Sequence, residues 1–120
     1  MTLYPWVEMI VLSELAAYGP LQCYAEPGSG PSEERFCQVA LKYGLWLIPG
    51  SVFEKDNNVI YNTSVVIDPR GDVVARHRKL FPFRPYEHGV EPGDQFVVFD
   101  VPDAGRFGLC ICYGNHPFFN

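Results

Sequence analysis

The chain has 120 residues, of which 48% are hydrophobic and 19% charged, and its formal net charge is −5. This composition predicts a globular chain that forms one domain at most. The acidic balance argues against a nucleic-acid partner, which would need a clustered basic face. No apolar run is long enough to cross a bilayer, and the N-terminus lacks the order of a signal peptide. We therefore expect a cytoplasmic protein with no membrane partner.

The first half of the chain predicts two strands and the one convincing helix. Aliphatic residues at 9–12 indicate a short buried strand. After a loop rich in glycine and proline, apolar residues recur at helical spacing over about 31–44. Ser32 is the expected N-cap of this helix, and Gly44 its stop. Residues 45–53 predict a strand that is irregular at its central Pro-Gly pair.

The second half of the chain is rich in predicted strands. The apolar runs predict four of them, at 59–67, 72–79, 96–101 and 107–112. The first two continue the preceding strand through tight turns, so we expect a meander of three neighbours. Three prolines predict an irregular, stiff loop over 81–93. The sum is an α/β chain in which sheet predominates.

Three of the strand-like segments end in different reactive groups: the carboxylate of Glu14, the amine of Lys79 and the thiol of Cys112. Ligands gather where strands end, because the scaffold is rigid there and the loops are open. A thiolate can attack an amide or nitrile carbon and hold the acyl group as a thioester. A carboxylate can carry the proton, and a fixed cation can stabilise the charged intermediate. The pattern therefore suits an amide- or nitrile-cleaving hydrolase.

Each of these groups also has a purely structural interpretation. Glu14 is equally consistent with a solvated residue after a strand, and Cys112 with core packing. Lys79 is one of four basic residues at a strand end, where charges commonly protect a sheet edge from pairing. Spacing alone leaves these alternatives open.

The other cysteines, Cys23, Cys37 and Cys110, are expected to be reduced and inert, because no secretion signal favours disulfides. Their spacing fits no zinc pattern. If Cys110 and Cys112 share one face of a strand, a redox or soft-metal role for the pair is a weaker alternative. The other ligands that such a metal site needs are missing, so we expect no metal.

The sequence motifs around the three reactive groups resemble those of the nitrilase superfamily of carbon–nitrogen hydrolases. Residues 9–15 look like the apolar strand that ends in the family's glutamate, with Ser13 where proline is more usual. Residues 61–80 are similar to the segment that carries the family's lysine, and residues 108–113 to the one that carries its nucleophile. The three motifs occur in the family's order.

The resemblance implies a role for each residue. Glu14 would be the general base, Lys79 the stabiliser of the tetrahedral intermediate and Cys112 the nucleophile. Glu87 matches a further glutamate that holds lysine and substrate in place. The backbone amide of Tyr113 would be a second oxyanion donor.

The resemblance also implies an architecture and its partners. The fold would be part of an α-β-β-α sandwich, completed when two subunits pack their helical layers together, so we expect a homo-oligomer. The substrate would be a small-molecule amide or nitrile, and no metal or organic cofactor is implied. The motifs leave amidase, nitrilase and carbamoylase open.

Two departures from the family's pattern support an alternative to the hydrolase function. The tail at 114–120 lacks the Asp and the Phe-Pro-Glu that usually follow the nucleophile. The family's opening strand and helix, before Tyr4, and everything after the nucleophile strand are absent. Residues 1–120 are therefore interpreted as one partial domain, truncated at both ends. The alternative function is a catalytically inactive fragment or degenerate homologue that acts only by association.

Overall fold

The computed structural model describes residues 4–84 and 87–112. Within these residues the chain forms one α-helix, eight strands and a short 3-10 helix at Gln22–Tyr24. The helix and strands in chain order are β1 (Met9–Val11), α1 (Pro31–Tyr43), β2 (Trp46–Ile48), β3 (Ser51–Asp56), β4 (Val59–Ile67), β5 (Val73–Arg78), β6 (Val90–Glu91), β7 (Val97–Val101) and β8 (Gly105–Leu109). The predicted sheet-rich α/β chain with one clear helix is confirmed.

Strand β4 is the centre of a six-stranded sheet. Its first six residues pair antiparallel with β3, and its end meets β2, so both lie along one edge. Strands β5 and β6 pair with the opposite edge. Strand β1 joins β2 in parallel and completes the sheet. The predicted meander of three neighbouring strands is thus confirmed as β3, β4 and β5, and the Pro-Gly pair divides the preceding strand into β2 and β3.

The molecule has three layers, because side chains on a strand alternate between the two faces of a sheet. On one face the helix packs through a buried apolar cluster formed by Ala40, Leu47, Val65 and Ile67. The other face packs on the β7–β8 hairpin through a second cluster formed by Ile48, Val66 and Phe99. We call these the helix face and the hairpin face. Among the described helices none is long and apolar enough to span a membrane.

The start of α1 differs from its prediction. Gly30 is the N-cap and Pro31 the first helical residue, so Ser32 lies inside the first turn. Proline favours the first helical position, because a backbone N–H has no intrahelical partner there. The Ser32 hydroxyl donates instead to the carboxylate of Glu26. Gly44 ends the helix in the left-handed conformation, with φ of 61°, as expected.

The strand that leads to the cysteines is shorter and more exposed than predicted. Strand β8 ends at Leu109, whose partner Val97 is the first residue of β7, so Cys110 has no strand to pair with. The prediction of a buried strand over 107–112 is therefore wrong, and with it the idea that Cys110 and Cys112 share one strand face. Cys112, three residues beyond the end of β8, has a positive φ of 52°. The predicted loop at 81–93 contains the short strand β6.

Candidate active site

Lys79 follows β5 directly and is held at both ends of its backbone. Its N–H donates to the carbonyl of Asn62 at 2.8 Å, and its carbonyl accepts from the N–H of Gly93 at 2.8 Å. The side chain is buried, with 1% of the residue exposed. A buried ammonium group is costly unless it is paired and hydrogen-bonded. The geometry therefore requires anionic partners close to Nζ.

Two carboxylates supply that pairing. Lys79 Nζ donates to Glu14 Oε2 at 2.8 Å and to Glu87 Oε1 at 2.5 Å. Burial by itself would lower the pKa of Lys79, but these two hydrogen bonds more than offset it and raise the pKa above its ordinary value. Lys79 is therefore an ammonium ion at neutral pH.

Glu87 is held by two hydrogen bonds to the backbone of Phe83. Its backbone N–H donates to the carbonyl of Phe83 at 2.8 Å, and its Oε1 accepts from the N–H of Phe83 at 2.9 Å. Burial opposes ionisation, yet the hydrogen bonds from Lys79, Phe83 and Asn62 lower the pKa of Glu87 below its usual range. Glu91, the other glutamate of this region, is exposed on β6. Glu87 is thus the glutamate that contacts the lysine.

Asn62 completes the group from the middle of β4. Its Nδ2 lies 2.8 Å from Glu14 Oε2 and 3.2 Å from Glu87 Oε2, and the residue is fully buried. The sequence analysis gave Asn62 no role in the site. The one signal available was its place in the segment at 61–80 that resembles the lysine motif.

Glu14 is positioned by a close approach of two loops. The N–H of Leu15 donates to Ser51 Oγ at 3.0 Å. Gly50 has φ of +80°, and a Cβ placed on it would lie 2.0 Å from the carbonyl oxygen of Ser13. Only glycine fits such a contact without displacing the backbone. The loop that carries Glu14 therefore rests directly on the break between β2 and β3.

Glu14 and Cys112 line the same cleft, which has a volume of about 130 Å³. The rest of the cleft is lined by apolar and small residues and by Cys110: Val11, Leu12, Ile48, Gly50, Ser51, Ser64, Leu109, Cys110 and Ile111. Both cysteines are exposed. Glu14 is therefore the link: it contacts Lys79 directly and shares the cleft with Cys112.

Two further expectations from the sequence concern Tyr113 and a metal ion. Tyr113, expected to contribute a backbone amide, lies outside the described residues. Within 4–84 and 87–112, no three His, Cys, Asp or Glu residues are grouped so that they could hold a metal ion. The described part of the site consists of carboxylates, an ammonium group, an amide and thiols.

Comparison with known proteins gives consistent matches. The sequence model of the carbon-nitrogen hydrolase family matches residues 5–117. The chain is similar to omega-amidase NIT2 of Xenopus tropicalis, with 39% identity over 99 residues that cover 75% of this chain and 36% of the relative. It is also similar to a formamidase of Helicobacter acinonychis, with 31% identity over 123 residues that cover 92% and 35%.

Solved structures show the same fold. The chain superposes on Nit3 of Saccharomyces cerevisiae, a member of branch 10 of the nitrilase superfamily, with a TM-score of 0.79 and 28% identity. This match covers 94% of the chain and 45% of Nit3. An amidase from Nesterenkonia sp. AN1 in its C145S form gives a TM-score of 0.75 at 21% identity, covering 88% and 43%. The chain thus spans 36% of the omega-amidase and less than half of each of these two structures.

Proposed function

Because this chain belongs to the carbon–nitrogen hydrolase family, we propose that it carries the catalytic groups of an enzyme that hydrolyses a non-peptide carbon–nitrogen bond in a small amide or nitrile. The observation that supports this most is the position of Glu14, which bonds Lys79 and lines the cleft with Cys112. The omega-amidase and formamidase among the relatives favour an amide. In this proposal Glu14 is the base, Cys112 the nucleophile and Lys79 the stabilising cation.

The first half-reaction acylates the enzyme. Glu14 takes the proton of the Cys112 thiol, and the thiolate attacks the amide carbon to form a carbon–sulfur bond. The electron pair of the carbonyl moves onto oxygen, which becomes an oxyanion. Glu14 returns the proton to nitrogen, the carbon–nitrogen bond breaks, and ammonia or an amine leaves a thioester on Cys112. In the second half, Glu14 removes a proton from water as its oxygen attacks the thioester carbon; the carbon–sulfur bond then breaks, Glu14 returns the proton to the Cys112 sulfur, and the acid leaves.

Lys79 is suited to stabilise the oxyanion. A lysine ammonium has three N–H donors, and two of them are taken by Glu14 and Glu87. Among the described residues no partner uses the third, which leaves it for the developing negative charge. A fixed cation in a buried site stabilises such charge more than it would in water. The raised pKa of Lys79 keeps this donor charged throughout turnover.

The alternative remains a catalytically inactive fragment or degenerate homologue that acts only by association. Exposed apolar side chains on the hairpin favour it, since Phe96 is 78% and Val98 61% exposed. A homo-oligomer in the complete protein, a cytoplasmic location and the absence of a cofactor stay predictions.

The test compares ammonia release by two variants, each made in a form of the protein that hydrolyses amides. Cys112→Ala removes the nucleophile, so we expect ammonia release to fall at least about 10³-fold. Cys110→Ala is the matched control, because Cys110 lines the same cleft and is also exposed. It should leave the rate within about threefold, since neutral cleft contacts contribute little. Undiminished turnover by Cys112→Ala would end the proposal.

A thiol-labelling measurement separates the alternative. If the wild-type chain releases no ammonia and Cys112 reacts with iodoacetamide no faster than Cys23, the inactive fragment is favoured. Selective labelling of Cys112 at neutral pH would instead indicate an activated thiol.

A further inference from the structure

Asn62 lies at the middle of the catalytic group without an assigned role. It sits on the central strand β4, paired with Phe53 on one side, and its backbone carbonyl accepts the N–H of Lys79 at 2.8 Å on the other. The residue has no exposed surface. The backbone of Asn62 is therefore hydrogen-bonded into the sheet on one side and to Lys79 on the other.

The orientation of the Asn62 amide follows from its neighbours. An asparagine side chain can present either oxygen or nitrogen to a partner, and the hydrogen-bond environment decides which. Here the partners are oxygens of Glu14 and Glu87, which accept and do not donate when ionised. Only Nδ2 can face them, and its two hydrogens match the two contacts at 2.8 and 3.2 Å.

The contacts on Glu14 are unequal between its two oxygens. Glu14 Oε2 accepts from both Asn62 Nδ2 and Lys79 Nζ, each at 2.8 Å. No described residue donates to Oε1. Two donors that converge on one oxygen fix the carboxylate plane, and they leave the other oxygen available to take a proton.

Asn62 also carries no charge, which matters for the net charge of the cluster that it contacts. Glu14, Glu87 and Lys79 together carry a charge of −1 when both carboxylates are ionised and the lysine is protonated. A second cation at position 62 would cancel that charge and weaken Glu14 as a base. A third carboxylate would repel the other two. An amide supplies two donors without changing the charge.

From these contacts we propose that Asn62 is a positioning residue for the hydrolysis, an inference that rests on the function proposed above. Its backbone carbonyl holds the N–H of Lys79, and its side-chain amide holds the carboxylates of Glu14 and Glu87 within hydrogen-bonding distance of the lysine ammonium group. It thereby keeps Glu14 Oε1 free for proton transfer between Cys112, the leaving nitrogen and water.

The first test is the pH–rate profile of Asn62→Asp, which keeps the size of the side chain but replaces a donor with a charge. A further carboxylate adds negative charge to the cluster of Glu14, Glu87 and Lys79, so the acidic limb of kcat/KM should move to higher pH. The value of kcat should fall about 100-fold at neutral pH, since loss of a hydrogen bond to a charged group costs about one to two orders of magnitude. KM should change less than about threefold, because Asn62 is not expected to touch the substrate.

A second variant guards against a folding defect. Asn62→Ser adds no charge and keeps a single, shorter donor, so kcat should fall about tenfold with the acidic limb unmoved. Thr63→Val is the matched control, because Thr63 is the next residue of β4, equally buried, and bonds the carboxylate of Glu54 on the helix face at 2.7 Å. It should cost similar stability in urea unfolding and leave kcat and the profile unchanged.

The outcomes are distinguishable from those of the proposed function. If Cys112→Ala stays active, the thiol mechanism fails and the inference fails with it. If Cys112→Ala is inactive but folded Asn62→Asp and Asn62→Ser match Thr63→Val in kcat and in pH profile, the function stands and Asn62 has no positioning role. If both Asn62 variants unfold while Thr63→Val folds, Asn62 serves the fold and the inference is also overturned.

Discussion

The two faces of the six-stranded sheet carry clusters built from similar parts. On the helix face a buried glutamate is bonded by an arginine and a hydroxyl, and on the hairpin face two glutamates are bonded by a lysine and an amide. The helix-face cluster consists of Glu54, Thr63 and Arg78. The hairpin-face cluster consists of Glu14, Asn62, Lys79 and Glu87. Because β4 and β5 supply adjacent residues to both clusters, the comparison isolates what the choice of side chain does.

In the helix-face cluster both carboxylate oxygens of Glu54 accept hydrogen bonds. The Arg78 guanidinium bonds both oxygens of Glu54, at 3.0 and 3.1 Å, and also contacts Asp56 at 3.1 Å. It lies 3.8 Å from the centre of the Tyr61 ring. Burial opposes ionisation of Glu54, but the bonds from Arg78 and Thr63 lower its pKa below the usual range. A fork that engages both carboxylate oxygens stabilises the ion pair and leaves nothing to react.

The hairpin-face cluster is built with acceptors and donors left over. Lysine is a point charge rather than a fork, so Lys79 bonds a single oxygen of each carboxylate. Glu14 lines a cleft that also contains Cys112. The difference teaches that the pairing of charges does not by itself identify a catalytic group. What separates the two clusters is that one carboxylate oxygen of Glu14 accepts no hydrogen bond from a described residue.

Removing the cation should break the two clusters to different extents. Lys79→Met leaves the buried Glu87 and the partly exposed Glu14 without their shared cation, and we expect a loss of about 3 kcal/mol in the free energy of unfolding together with loss of turnover. Arg78→Met should cost less, about 1 kcal/mol, because Arg78 is 30% exposed and the buried Glu54 keeps its hydrogen bond from Thr63. Urea unfolding of both variants checks this. Equal losses, or turnover by Lys79→Met, would contradict the contrast.

A methyl group added beside each cluster should sharpen the contrast. Gly50→Ala places a Cβ 2.0 Å from the Ser13 carbonyl at a φ of +80°, so we expect a loss of about 2 kcal/mol. The displacement of the Glu14 loop should lower kcat about tenfold. Gly28→Ala would place its Cβ 3.1 Å from Glu54 Oε2, a contact that a shift of a few tenths of an ångström relieves, and should cost less than about 1 kcal/mol, with kcat unchanged. Thermal unfolding and initial rates measure both, and a Gly28 variant as inactive as the Gly50 variant would argue against the assignment of the loop.

The sequence was sufficient where the determinants are local. Helical spacing located α1, an apolar run between turns located the strand at 59–67, and the Pro-Gly pair marked the break before β3. The lysine motif was found through its family resemblance, and spacing alone would have left Lys79 as one basic residue among four. Local signals and a family pattern together were enough for the elements and for the charged residues.

The features that the sequence did not predict depend mostly on contacts between residues far apart in the chain. Asn62 bonds carboxylates 48 and 25 residues away in sequence, and no periodicity encodes those partners. The end of β8 is set by where β7 begins, so the apolar run up to Cys112 overestimated the strand. Ser32 matched the residue preference of an N-cap, but Pro31 beside it claimed the first helical position.

The most direct test of the account follows the acyl group itself. An amide substrate is mixed with the amide-hydrolysing form of the protein, and the reaction is quenched in acid within one turnover. The protein is then digested, and the masses of its peptides are measured by mass spectrometry. The account predicts the mass of the acyl group, as a thioester, on the peptide that contains Cys112, and specifically on that sulfur rather than on Cys110. Consumption of the amide with no acyl group on Cys112, or with the group on Cys110, would contradict it.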